Sequence, residues 1–214
     1  MAQDEELEAF KQWWKRNGQS IILGIAIAVL AVAGWQYWEN RQAAARAEAR
    51  QGFDSVLSTL NSEEVNDEQL ATMEYSLDNL KDKHPDSPYA VFAAMIAAGV
   101  YMQEAAPDSA VKELQWALGR AAQPPLPAVI RLRLARAQFA SGKHEAVLET
   151  LQTASDPGEF KPLYKELEGD AHHVLGNDSE ARQAYQQASD ALGDESNRRL
   201  LELKMSDLAA PEAS

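Results

Sequence analysis

The residues of this chain that could do acid–base or metal chemistry are four histidines, His84, His144, His172 and His173, and a surplus of carboxylates, for there is no cysteine. The tightest grouping is the run from Glu168 to His173, EGDAHH. On a helix Glu168 and His172 stand one turn apart on one face, a spacing that presents two ligands to a metal. A metal centre needs a third and a fourth ligand and groups that orient them. The sequence supplies no such set, and the run reads as the solvated face of a helix. The carboxylate pairs Glu63–Glu64 and Asp194–Glu195 read as loop solvation rather than as a general acid and its base. Phosphate-cradling GxxxxGK[S/T] and GxGxxG loops and the GxSxG nucleophile turn are all missing. The expectation is a chain without catalytic residues, metal or cofactor.

Charge narrows the binding classes. The formal net charge is -13, and after Trp38 there are 17 basic against 29 acidic residues. Nucleic-acid binding depends on cations that neutralise phosphates, and an acidic tail disfavours it, as it disfavours a clasp on anionic lipid. What is left is protein–protein contact, so the question becomes which elements would present it.

The first element is an apolar run. From Ile21 to Trp38 the 18 residues contain one strongly polar side chain, Gln36, and no charge occurs between Arg16 and Glu39. As a helix it would be about 27 Å long, close to the ~30 Å hydrocarbon core of a bilayer. It is apolar all round, where a soluble helix would keep one polar face. Phe10, Trp13 and Trp14 precede it, and Trp35, Tyr37 and Trp38 close it, matching the aromatic belts at membrane interfaces. The reading is a membrane anchor over residues 20–38, with Ile21, Gly24, Gly34, Trp35, Tyr37 and Trp38 among its residues, after a short segment 1–19. A cleaved signal peptide is the rival, because Ala31-Val32-Ala33 has the small-x-small form of a cleavage site. The acidic, long leading segment and the continuation into Trp35–Trp38 favour the uncut anchor. Lys11, Lys15 and Arg16 on one side balance Arg41, Arg46 and Arg50 on the other, so the positive-inside rule selects no orientation.

Beyond the anchor, residues 39–60 lack proline and are rich in alanine, arginine and glutamate, which predicts that the helix continues. Phe53, Val56, Leu57 and Leu60 fall on one face and are expected to pack on the following domain, 61–208, with 209–214 as a flexible tail. Leu70, Met73, Leu77 and Leu80 mark a second amphipathic helix, and nothing after residue 50 alternates as a strand would. Ala135, Gly142, Val147, Leu151 and Ala154 recur 34 residues later as Gly169, Gly176, Ala181, Tyr185 and Ala188. An earlier copy, Ala98, Ala110, Leu114 and Ala117 with Tyr101, fits at a spacing of 37, and a fainter one is Ala71, Tyr75 and Pro85. A 34-residue period of paired helices, with small residues where the helices cross, is similar to the tetratricopeptide repeat. Gly176 is expected to end its helix in a left-handed cap. The fold class is therefore all-α, one transmembrane helix followed by a tetratricopeptide-like solenoid.

In tetratricopeptide proteins the first helix of each unit lines a concave groove. Carried over by position, the groove residues are Phe92, Met95 and Met102, then Leu132, Arg136 and Phe139, then Glu166, Asp170 and His173. Methionine-bearing surface suits adaptable contact with hydrophobic segments. The apolar members fit equally well as packing between repeats, and both readings stand.

Several stretches also resemble the bacterial YfgM family of ancillary SecYEG translocon subunits. They are ELEAFK at Glu6–Lys11, Asn17-Gly18, Gly24, GWQYWENRQ at Gly34–Gln42, IRLRLAR at Ile130–Arg136, LEGD at Leu167–Asp170 and LKMSDL at Leu203–Leu208. The resemblance spans nearly the whole chain and departs mainly at the proline-rich Gln123–Pro127 and in the tail. It implies a single-pass protein of the bacterial inner membrane, with a cytoplasmic N-terminus and a periplasmic repeat domain. The implied partners are the SecYEG translocon, the periplasmic chaperone PpiD and unfolded secreted clients. An envelope-stress regulator of the Rcs type, or a scaffold for another envelope complex, is the alternative.

Overall fold

A computed structural model describes residues 2–59, 65–121, 123–154, 156–192 and 195–208, with side chains omitted for 2–5 and 195–197. Leu60, Glu63, Glu64, Asp194 and the expected tail 209–214 lie outside the described residues. All the elements among the described residues are helices: α1 Ala2–Ser58, α2 Asp67–Lys83, α3 Pro88–Gln103, α4 Pro107–Leu118, α5 Leu126–Ala140, α6 His144–Gln152, α7 Lys161–Val174, α8 Asp178–Ala191 and α9 Glu195–Asp207. A 3-10 turn, Gly158–Phe160, leads into α7. The chain divides into two compact units, residues 1–48 and 49–214.

Every described residue of the first unit is helical. Ile22, Leu23, Ile25, Ile27, Val29 and Leu30 are all exposed on it, as expected of a helix whose apolar surface surrounds it rather than facing one side. It belongs to the one helix among the described residues that is long and apolar enough to cross a membrane. Trp35 and Trp38 meet at a tilt with ring centroids 5.6 Å apart, and Phe10 stacks on Trp13 and Trp14. The Asn17 side chain donates to the Trp13 carbonyl at 3.1 Å.

The second unit begins inside α1. Ala49 and Val56 are buried there and Phe53 partly so, against Met73, Leu77 and Leu80 of α2. Two details differ from the periodic reading. Leu57 is exposed, because the buried face runs through Val56 to Thr59. The faint early repeat also fails: Tyr75 is 73% exposed, while Met73, Leu77 and Leu80 occupy the positions 37 residues before Ala110, Leu114 and Ala117. The repeat register of α2 lies two residues beyond Ala71 and Tyr75. Helix α2 starts on a full capping box, in which Asn66 accepts from the Gln69 backbone and the Gln69 side chain accepts from the Asn66 backbone.

The remaining pairs, α3–α4, α5–α6 and α7–α8, repeat one geometry. Each first helix ends two residues before a left-handed residue: Ala105 (φ 54°), Gly142 (φ 75°) and Gly176 (φ 78°). The next backbone N–H then reaches back five residues, Ala106 to Tyr101, Lys143 to Gln138 and Asn177 to His172, at 2.8–2.9 Å. This is the Schellman closure, which satisfies a carbonyl that the helix end leaves open. The second helix begins two residues beyond each left-handed residue. Ala98, Ala135 and Gly169 are buried small residues, each 16 positions before the buried Leu114, Leu151 or Tyr185, and Gly169 lies against the Tyr185 ring. The equivalence stops at Ala154, since α6 ends at Gln152 while α8 continues through the buried Ala188. Helix α9 closes the array on α8, with Leu201 buried beside Tyr185 and Ala188.

Candidate functional site

Helix α3 sets the geometry of the site. Ser87 accepts from the Tyr89 backbone and Pro88 occupies the first turn, so the start is fixed. Ala90, Ala93, Ala94, Ala97 and Ala98 are buried, so α3 sits deep among its neighbours. One strip stays open. Met95, Gly99 and Met102 follow one another at steps of four and three residues, and a Cβ added at Gly99 would meet nothing within 4 Å. Together with Leu114 of α4 and Arg133 and Arg136 of α5 they line a cavity of about 340 Å³. Met95 is only 7% exposed and forms its floor, while Met102 is 37% exposed at its edge.

The two arginines stand three residues apart on the exposed face of α5. Among the described residues neither guanidinium has a hydrogen-bond or ion-pair partner. Several other cations of the domain are engaged. Lys81 binds Glu113 at 2.9 Å with both side chains largely buried, Arg120 stacks on Trp116 at 4.1 Å, and Lys165 pairs with Glu168.

The expected groove thus divides. Met95, Met102 and Arg136 come together in one cavity. Phe92, 43% exposed, faces instead a cavity of about 520 Å³ between Pro85, Pro88, Gly119 and Leu126. Leu132 requires a correction: at 4% exposure it packs with Val147, Leu151 and Tyr164 between repeats and offers no surface. Phe139 is partly buried and meets the His144 ring edge-on at 4.9 Å. Glu166 and Asp170 face α9, where Lys204 binds them at 2.9 and 2.7 Å. His173 pairs with Asp178 at 2.9 Å on the outer surface. The EGDAHH run is not gathered around a common point, since Glu168 binds Lys165 and His173 binds Asp178. Among the described residues no three metal-ligating side chains cluster.

Reasoning from sequence missed Arg133, Gly99 and Lys204. The first two had a signal: Arg133 shares a face with Arg136, and Gly99 falls between the two methionines. Lys204 had none, because its partners are 34 and 38 residues away. Electrostatics around it are coupled. Burial alone would push the Lys204 ammonium down, but the hydrogen bonds of Asp170 and Glu166 overcome it and hold the group above its ordinary value. Burial, reinforced by the hydrogen bond to Asp170, pushes the Tyr185 phenol up, as burial and Glu74 do at Tyr101.

A family model described as a tetratricopeptide repeat-like domain matches residues 11–210. A protein of Haemophilus influenzae named as an ancillary SecYEG translocon subunit is 25% identical, covering 96% of this chain and 97% of the relative. Proteins of the same name from Neisseria gonorrhoeae and Escherichia coli are each 27% identical, covering 97% and 86% of this chain and 98% and 85% of their own.

Proposed function

The chain belongs to the tetratricopeptide repeat-like domain family, and on that premise we propose that it is a membrane-anchored, non-catalytic accessory subunit of the SecYEG translocon. The observation that carries this reading is the end-to-end match, apolar helix and repeat array together, with relatives that bear that name. A shared repeat domain alone would support only protein binding. The reading assigns residues 20–38 to the inner membrane, the segment before them to the cytoplasm and the repeat domain to the periplasm, following the family resemblance. Tethering keeps the repeats at high effective concentration beside a membrane complex, so weak contacts suffice. The site around Met95, Met102 and Arg136 would then receive a segment of a partner such as PpiD or of an emerging client. Passing such clients to periplasmic chaperones is the role proposed.

The test is crosslinking of the full chain in membranes of its own cell, with partners and the N-terminal peptide identified by mass spectrometry. Translocon subunits and PpiD, recovered with an intact Met1–Trp38 segment, are expected. A chain beginning at Gly34 and yielding no translocon subunit would overturn the proposal.

A further inference from the structure

Resting on that reading of the groove, we infer that the cavity between α3 and α5 selects an acidic–apolar peptide segment: one large apolar side chain followed closely by carboxylates. The cavity is apolar and adaptable, with Met95 and Leu114 deep in it and Met102 at its edge around the vacant Cβ direction of Gly99. The rim is cationic, because Arg133 and Arg136 are exposed and have no partner among the described residues. In a chain of net charge -13, two neighbouring arginines without a partner among the described residues stand at the mouth of an apolar cavity. Some other cations of this domain are held by its own carboxylates, as at Lys81–Glu113 and at Lys204, but neither of those lines this apolar cavity. A guanidinium presents a planar fork that fits a carboxylate in two-point contact. An apolar cavity of this size with a few convergent polar groups is the usual form of a site that fixes one side chain and its orientation. Complementary charge adds selectivity and faster encounter, while basic segments are repelled.

The test uses the full chain in nanodiscs and a short fluorescent peptide with a leucine–phenylalanine–glutamate–aspartate core. Two twins of the peptide carry glutamine–asparagine or lysine–lysine in place of the acids. The acidic peptide is expected to bind about tenfold more tightly than its amide twin, with the preference shrinking as salt screens the rim. Arg133→Gln with Arg136→Gln should abolish that preference while leaving the weaker apolar binding. Gly99→Leu fills the cavity with a good helix former, so it should fold and yet weaken binding of both peptides. Circular dichroism melts verify folding of each variant. Equal binding of acidic and amide peptides, still blocked by Gly99→Leu, would overturn the acidic selectivity and leave the groove reading intact. Binding of every peptide unaffected by Gly99→Leu would overturn both. Preference for the lysine twin, or uptake of a fatty acid from vesicles with no peptide binding, would also overturn the inference.

Discussion

The first and last repeated pairs, α3–α4 and α7–α8, place the same backbone through different compromises. In α3–α4 the equivalent residues are the buried Ala98 and Leu114, which line one cavity, and the turn between the helices holds Ala105 at φ 54°. In α7–α8 the crossing is Gly169 against Tyr185, and the turn holds Gly176 at φ 78°. The larger residue on the second helix thus goes with the smaller one on the first. A Cβ on Gly169 would stand 2.4 and 2.5 Å from the buried Tyr185 ring carbons. The first pair instead carries strain in its turn, where an L side chain in the left-handed region meets the following carbonyl. The lesson is that tolerance to substitution belongs to the site within each repeat, even where the repeat position is shared.

The comparison breaks most sharply at Gly169. Gly169→Ala is expected to cost about 2–3 kcal/mol, because either the buried Tyr185 ring, held by its hydrogen bond to Asp170, or the helix backbone must shift. A thermal melt should fall by roughly 5–10 °C in a domain of this size. Tyr185→Leu in that background, which restores the alanine–leucine match of the other pairs, should recover part of the loss. An additive double variant would refute the volume account. Reciprocal exchanges at the turns are smaller. Gly176→Ala should lose about 1 kcal/mol and Ala105→Gly should gain a similar amount, read from the same melts. Equal signs would show that the turns are not equivalent.

The smallest effect is conditional on pH. Tyr101, Tyr185 and Lys204 all have their folded-state values raised above the ordinary ones. The stability they contribute is therefore complete below those ordinary values and is lost as pH rises through the raised ones. Hydrogen exchange followed from pH ~8 to ~12 should show α9 loosening, since Lys204 and Tyr185 meet on Asp170. Lys204→Gln should remove the lysine share and leave the loss around Tyr101 and Glu74 unchanged.

Much of the fold was legible because it depends on local periodicity. Met73, Leu77 and Leu80 lie at helical spacing and are buried, and the prolines at 88, 107, 127 and 162 sit in the first turns of helices, where a missing N–H does no harm. The Gly142–Gly176 period marked two helix ends. The third was hidden, because its left-handed residue is Ala105 and composition gives no warning of that. Ala71 and Tyr75 misled for a related reason: a small–large spacing of four recurs by chance on any alanine-rich helix, and only packing selects the register.

What the sequence determined by itself is the uninterrupted apolar helix, the helical class, the repeat period and the left-handed cap at Gly176, because each follows from residues near one another in the chain. Tertiary structure alone decided which groove candidates have a surface. Leu132 and Met102 are both apolar residues on first helices, yet one is enclosed by α6 and α7 and the other opens beside Arg136. Glu166 and Asp170 were equally exposed in prospect until α9 folded back and brought Lys204 to them. Exposure of a helix face depends on what the neighbouring helices cover, and that is settled by contacts distant in sequence.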